Sequence, residues 1–99
     1  MRPLQLSDIA RMTGGRLHGM DRQVDAIATD TRTLPATGAS LFVALKGENF
    51  DGHDHAEAAA AGGVAALLVS RPVGTGLPQV QVADTERALA DLARAMQRT

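Results

Sequence analysis

The chain has 99 residues, a formal net charge of −1, 44% hydrophobic residues and no cysteine. That length suits one domain and not two, and the apolar content excludes disorder by composition. Without cysteine there is no disulfide frame, no thiolate nucleophile and no Cys-ligated zinc, as befits a reducing compartment. No apolar run reaches the ~18 residues of a membrane span. The start, MRPLQLSDIA, lacks a basic segment leading into an apolar one, so a secretory signal is not expected. Ten Lys plus Arg against eleven Asp plus Glu leave no basic footprint for nucleic acid. The aromatic residues are Phe42 and Phe50 alone, too few for a base-stacking platform.

In chain order, Ser7 is placed to cap a short first helix that begins near Leu6, because its hydroxyl can accept from a free backbone N–H. Gly14-Gly15 ends that helix, glycine taking the left-handed conformation without a Cβ clash. Arg16 to Gly19 and Val24 to Thr29 read as strands, with a polar turn between them. Leu34 to Ser40, bearing Pro35 and Gly38, is a loop. Leu41 to Leu45 is a continuous apolar run, suited to a strand buried on both faces of a parallel sheet. Asp54 and Glu57 have the spacing of a capping box for a helix running to about Ala61 and stopped by Gly62-Gly63. Val64 to Val69 is the next strand, and the stretch before it is long enough for a parallel βαβ crossover, read as right-handed. Pro72 to Pro78 is a loop. Gln79 to Val82 alternates like a half-buried strand. Asp84 caps a last helix with Ala88, Leu89, Leu92, Ala93 and Met96 on one face. The sum is a single small α/β domain with a mixed, mostly parallel sheet and about three helices. The methionines Met1, Met12, Met20 and Met96 read as scattered core or terminal residues.

The chemistry concentrates between Thr29 and His53. In extended chain Thr29 and Thr31 point one way, Asp30 and Arg32 the other. Paired hydroxyls suit a neutral hydrogen-bonding ligand such as a pyrimidine. The plainer reading is that threonine is common in strands and that Asp30 and Arg32 pair at a turn. Lys46-Gly47-Glu48-Asn49-Phe50-Asp51-Gly52-His53 follows the carboxyl end of a parallel strand and precedes a helix. Ligands of α/β sheets sit there, and a helix N-terminus offers N–H groups to an anion. Asn49 can read a donor and an acceptor, Lys46 can meet a phosphate, and two glycines allow close backbone approach. Here too the plainer reading is a βα loop made of turn residues.

No GxxxxGK[ST] run occurs, so the chain carries no triphosphate cradle, and Gly74-Thr75-Gly76 leads into Leu77-Pro78 rather than a helix. His53-Asp54-His55 has poor spacing for a metal, since the two imidazoles diverge once a helix begins. A carboxylate pair from Asp51 and Asp54 lacks any identifiable oxyanion donor. No catalytic residue and no metal ligand are therefore assigned.

Thr29-Asp30-Thr31-Arg32, Leu41-Phe42-Val43-Ala44-Leu45-Lys46-Gly47, Phe50-Asp51-Gly52-His53-Asp54 and Gln79-Val80-Gln81-Val82-Ala83-Asp84-Thr85 together resemble the amino-terminal domain of the Mur ligases. The likeness is strongest to the MurF type, which joins D-alanyl-D-alanine to UDP-N-acetylmuramoyl-tripeptide. It covers nearly the whole chain. The sister ligase that adds the third stem residue shares the Asp-(Ser/Thr)-Arg and Asp-Gly landmarks, whereas the Leu-Lys-Gly and His-Asp steps favour MurF. The resemblance implies a bacterial, cytoplasmic role in peptidoglycan synthesis, and so in cell shape and division. The first domain would hold the UDP end of the UDP-N-acetylmuramoyl-peptide. Central and carboxyl-terminal domains, absent from this chain, would supply ATP and Mg chemistry through an acyl phosphate. This domain itself would carry no cofactor and no catalytic residue. By the same resemblance, Thr29 and Thr31 border the uridine pocket, and Glu48, Asn49, Phe50, Asp51, Gly52 and His53 form the loop that closes over the nucleotide. Phe50 would offer a ring face to uracil or else pack in the core. His55 stands where the family commonly has an aromatic residue, and the connection Leu34 to Ser40 looks about two residues longer than usual. The competing readings are a free-standing interaction module on the same fold and a small metal-dependent hydrolase using His53 and His55.

Overall fold

The computed structural model describes residues 3–33, 39–47 and 51–96. The chain begins with β1 (Leu4–Gln5) and runs directly into α1 (Leu6–Thr13). Then come β2 (Arg16–His18), β3 (Gln23–Val24) and β4 (Ala26–Ala28). A 3-10 turn (Thr31–Thr33) leads towards β5 (Ser40–Val43). A second 3-10 turn (Gly52–His55) opens α2 (Ala56–Ala61), followed by β6 (Ala66–Val69), β7 (Gln79–Gln81) and α3 (Thr85–Met96).

Five strands form one sheet in the order β2-β7-β6-β5-β4. β4, β5, β6 and β7 are mutually parallel, and β2 pairs antiparallel at the β7 edge. β1 and β3 make a separate antiparallel pair, Leu4 opposite Val24. The apolar runs of β5 and β6 are continuous because both faces of the sheet are covered. Leu41, Val43, Ala66 and Leu68 face one core with Leu6, Ile9 and Ala10 of α1 and Ala88 and Leu92 of α3. Phe42, Ala44, Leu67 and Val69 face a second core, closed by Ala56 and Ala59 of α2 and flanked by Val73 and Leu77. Small alanines let the short α2 lie close to the sheet. Each fully buried Leu, Val or Phe contributes roughly 1.5–3 kcal/mol by leaving water, so these two layers hold the strand ends, and the site built on them, in place.

Several local expectations give way to longer-range contacts. Ser7 is not the cap of α1. The helix does start at Leu6, but its cap position is Gln5, and the Leu6 N–H donates to the Arg22 carbonyl at 2.9 Å. Asp21 does the capping from across the chain, accepting from the Ser7 N–H at 3.0 Å and the Ser7 hydroxyl at 2.6 Å. Hydrogen bonds from Ser7 lower the Asp21 pKa below its ordinary value. Val24 to Thr29 is two strands rather than one. At Asp25 the chain changes partners, and β3 stays with β1 while β4 joins β5. β6 begins at Ala66, not Val64. Asp54 lies inside the second 3-10 turn and caps nothing. Asp51 takes that part, accepting from the His53 N–H at 3.0 Å. Gln79 is buried, its amide accepting from the Val73 N–H at 2.9 Å and donating to the Val73 carbonyl at 2.8 Å. Ala93 is exposed, at the edge of the buried stripe of α3. Met20 is 79% exposed in a turn rather than core.

Gly14 ends α1 at φ 69°, and Asp84 accepts from the N–H groups of Glu86 and Arg87 at 3.0 and 3.2 Å, both as the sequence indicates. The expected loop at Leu34–Gly38 lies outside the described residues, while Ser40 has joined β5. The side chain of Met96 is also outside them.

Candidate functional site

β4 and β5 are parallel neighbours, Ala28 opposite Phe42, and both stop at the same edge of the sheet. Beyond Ala28 the extended alternation ends. The Asp30 carboxylate accepts from the Arg32 N–H at 2.8 Å and starts the 3-10 turn. The same carboxylate takes two bonds from Arg32 Nε, both 3.1 Å, and one from Nη2 at 2.8 Å. The pair predicted for a turn is therefore present, and it holds the guanidinium in a fixed direction. These hydrogen bonds from Arg32 bring the Asp30 pKa down to about 2, with a smaller contribution from the charge of His55. Arg32 is shifted up by the same contact.

Thr29, Asp30, Thr31 and Arg32 line a cavity of about 410 Å3 with Phe42 and His55. Its floor is the buried ring of Phe42, and its rim is hydroxyl, carboxylate, guanidinium and imidazole. An apolar floor with a few directed polar groups, outside the carboxyl ends of parallel strands, is the arrangement α/β sheets use for small ligands. Both predicted threonines reach this cavity, although by way of a turn and not of strand alternation.

The polar loop contributes differently from expectation. Glu48, Asn49 and Phe50 lie outside the described residues. Lys46 and Asp51 form an isolated antiparallel bridge across the loop's base. Gly52 donates its N–H to the Leu45 carbonyl at 2.6 Å, and a Cβ there would sit 2.8 Å from the Leu45 nitrogen. The close approach that needs this glycine is thus to the end of β5. Lys46 lines a separate concavity of about 360 Å3 with Ser70, Asp84, Thr85 and Glu86.

His53 is buried, and both ring nitrogens are engaged. Nδ1 meets Asp51 Oδ1 at 2.5 Å, and Nε2 accepts from the Ser70 N–H at 2.9 Å. The acceptor role of Nε2 places the neutral ring's proton on Nδ1, facing Asp51. The Ser70 hydroxyl lies 3.2 Å from Nε2, so Asp51, His53 and Ser70 have the outline of a hydrolytic triad. It cannot work as one while the single lone pair of Nε2 is occupied by a backbone N–H. Arg71 donates to Asp51 Oδ2 at 2.9 Å and completes the cluster. Hydrogen bonds from the His53 backbone and ring, then from Arg71, hold the Asp51 carboxyl far below its ordinary range. The cluster ties the start of α2 to the end of β6. It also takes up the backbone donor that an external anion was expected to use. His53 faces inward and His55 lines the cavity, so the two imidazoles do not converge on one point.

Sequence reasoning missed Phe42 and His55 as lining residues. Phe42 was hidden inside a run that reads as core, which it also is. His55 had a signal, since two residues beyond an inward His53 the chain turns outward.

A family model described as "Mur ligase family, catalytic domain" matches residues 23–97. The UDP-N-acetylmuramoyl-tripeptide–D-alanyl-D-alanine ligase of Escherichia coli K12 is 53% identical over 88 residues, covering 89% of this chain and 19% of that protein. The UDP-N-acetylmuramoyl-L-alanyl-D-glutamate–2,6-diaminopimelate ligase of Geobacillus kaustophilus is 46% identical over 78 residues, covering 79% and 16%. A crystal structure of MurF from Acinetobacter baumannii superposes with a TM-score of 0.83 at 33% identity, covering 93% of this chain and 20% of that one. The chain therefore spans about a fifth or less of the length of these relatives.

Proposed function

The chain belongs to the Mur ligase family, and from that premise we propose that it is the amino-terminal, UDP-binding part of a MurF-type ligase of peptidoglycan synthesis. The observation that carries the reading is the cavity at the carboxyl ends of β4 and β5, lined by Thr29 to Arg32 over the Phe42 ring. The threonine hydroxyls supply donors and acceptors for a uracil edge. Arg32, fixed by Asp30, presents a cation to the diphosphate. By the family resemblance the loop from Lys46 to Asp51 would bring ligand contacts from Glu48, Asn49 and Phe50, which lie outside the described residues. Asp51, Gly52 and His53 act in this reading by positioning that loop.

The MurF type is preferred to the diaminopimelate-adding type because identity is 53% to the one relative and 46% to the other. The sequence has no phosphate-cradling run, and among the described residues no group of three His, Asp or Glu side chains is arranged to hold a metal ion. In this reading amide formation, with ATP and Mg, belongs to other parts of the ligase, and this part holds one substrate in the cytoplasm. No helix among the described residues is long and apolar enough to cross a membrane.

Calorimetric titration with UDP-N-acetylmuramoyl-tripeptide tests the reading. A Kd on the order of 0.1–1 mM is expected, since only one end of the ligand is contacted, with UDP-sugars competing and adenosine diphosphate not. No heat at several-millimolar ligand with a folded chain, or equal binding of both nucleotides, defeats it.

A further inference from the structure

We propose that Asp30 is a positioning residue for diphosphate recognition: its carboxylate, although of the same sign as the ligand, raises the cavity's affinity for a diphosphate by aiming the Arg32 guanidinium. The inference rests on the uridine-nucleotide reading and deepens it by assigning the source of the preference for a charged nucleotide. Both residues line the cavity beyond the carboxyl end of β4. The Arg32 side chain is 87% exposed, so polar contacts rather than packing give it a direction. Asp30 supplies them. Its Oδ1 accepts from the Arg32 N–H at 2.8 Å, which sets the 3-10 turn Thr31–Thr33. The same carboxylate takes Nε at 3.1 Å and Nη2 at 2.8 Å, which sets the guanidinium. Backbone and side chain of Arg32 are thus tied to one anion two residues back.

A guanidinium carries five N–H donors in a rigid plane. Asp30 engages Nε–H and one hydrogen of Nη2, which leaves the other edges of the plane, at Nη1 and the second Nη2 hydrogen, for phosphate oxygens. An untethered arginine samples many rotamers, and gathering them on a ligand costs affinity. The contact with Asp30 does that gathering before the ligand arrives. Repulsion works the other way. The carboxylate stays ionised at neutral pH, its pKa held at about 2 by the hydrogen bonds from Arg32. Acting by charge alone on two negative charges several ångströms away, it would weaken binding about two- to fourfold after salt screening. The two effects have opposite signs, so substitution separates them.

The experiment is a double-mutant cycle read by amide NMR titration at neutral pH. The probes are UDP-N-acetylglucosamine, whose diphosphate is charged, and uridine, which is not. Asp30→Asn keeps an oxygen for the Arg32 N–H, and so keeps the turn, while giving up the charge and the second acceptor. It should weaken the UDP-sugar about three- to fivefold and leave uridine unchanged. In an Arg32→Gln background the same change should strengthen the UDP-sugar about two- to fourfold, because only repulsion then remains. A carboxylate that merely capped the turn would not reverse sign in this way. Circular dichroism checks that each variant is folded. Asp30→Asn binding the UDP-sugar as tightly as the parent or tighter overturns the inference, as does weakening in both backgrounds. Equal weakening of uridine overturns it too, since Asp30 would then touch the nucleoside itself. In each of these cases the parent still binds and the nucleotide reading stands. If the folded parent binds no UDP-sugar, both fall.

Discussion

Replacing His53 by phenylalanine keeps a buried ring of similar shape and removes both hydrogen-bonding nitrogens. The Ser70 N–H then loses the Nε2 acceptor at 2.9 Å, and Asp51 loses its ring partner at 2.5 Å. Asp51 still accepts from the His53 backbone N–H and from Arg71, so it remains partly satisfied. Leaving the half-buried Ser70 donor unpaired costs up to about 1–3 kcal/mol, and about 2 kcal/mol is the expected loss. With an m-value of about 1–1.5 kcal/mol/M in urea, reasonable for a small domain, the midpoint should fall by about 1.5 M with m unchanged. His53→Gln is the informative companion, because its amide oxygen can accept from Ser70 and should recover part of the loss. The assay is equilibrium urea unfolding followed by far-UV circular dichroism at neutral pH. A His53→Phe midpoint within error of the parent would refute the reasoning, since it would mean that the imidazole fastens nothing.

Three further outcomes follow from named contacts. Gly15→Ala would place a Cβ 2.7 Å from the Gln81 carbonyl oxygen. Overpacking against backbone costs about 1–3 kcal/mol, so its thermal midpoint should drop, and an unchanged Tm would contradict the α1–β7 packing described. The carboxyls of Asp30 and Asp51 are held below their ordinary values, Asp30 at about 2. A depressed folded-state pKa contributes stability that is present above the unfolded value and lost as pH falls through the folded one. Stability should therefore decline from about pH 4 towards pH 2, and Asp51→Asn should flatten part of that slope in urea titrations. Thr29→Val with Thr31→Val removes two hydroxyls from the cavity and should weaken UDP-sugar binding several-fold with little change in Tm. Undiminished affinity in calorimetry would take the threonines out of the site.

What was legible in the sequence follows the range of the forces involved. Leu41 to Leu45 announced a strand buried on both faces and Val64 to Val69 the strand after it, because apolar runs report burial directly, although the strands themselves span Ser40–Val43 and Ala66–Val69. Gly14 and Asp84 announced helix ends, because their contacts lie within a turn. Ser7 and Asp54 misled for the opposite reason. Each has the local chemistry of a cap, but Asp21, distant along the chain, already serves Ser7, and Asp51 reaches the His53 N–H first. Asp25, where the strand changes partners, carries no sequence mark of it, since the break depends on which neighbours the sheet supplies. Thr29 and Thr31 stood out at a strand end in the sequence, and both line the cavity. Phe42 did not stand out, as a ring at the end of a buried strand can be floor and core at once. The inward turn of His53 depended on Ser70 and Arg71, which only the β5–β6 pairing brings near.

The central claim is that the cavity between the end of β4 and the start of α2 receives a uridine nucleotide. Backbone amide NMR shifts recorded during titration with UDP-N-acetylglucosamine test it most directly. The account predicts that Thr29, Asp30, Thr31, Arg32 and His55 shift together and saturate with one Kd, while β2 and the distal end of α3 stay still. Saturable shifts centred on Lys46, Ser70 and Asp84 instead, with Thr29 to Arg32 unmoved, would contradict it.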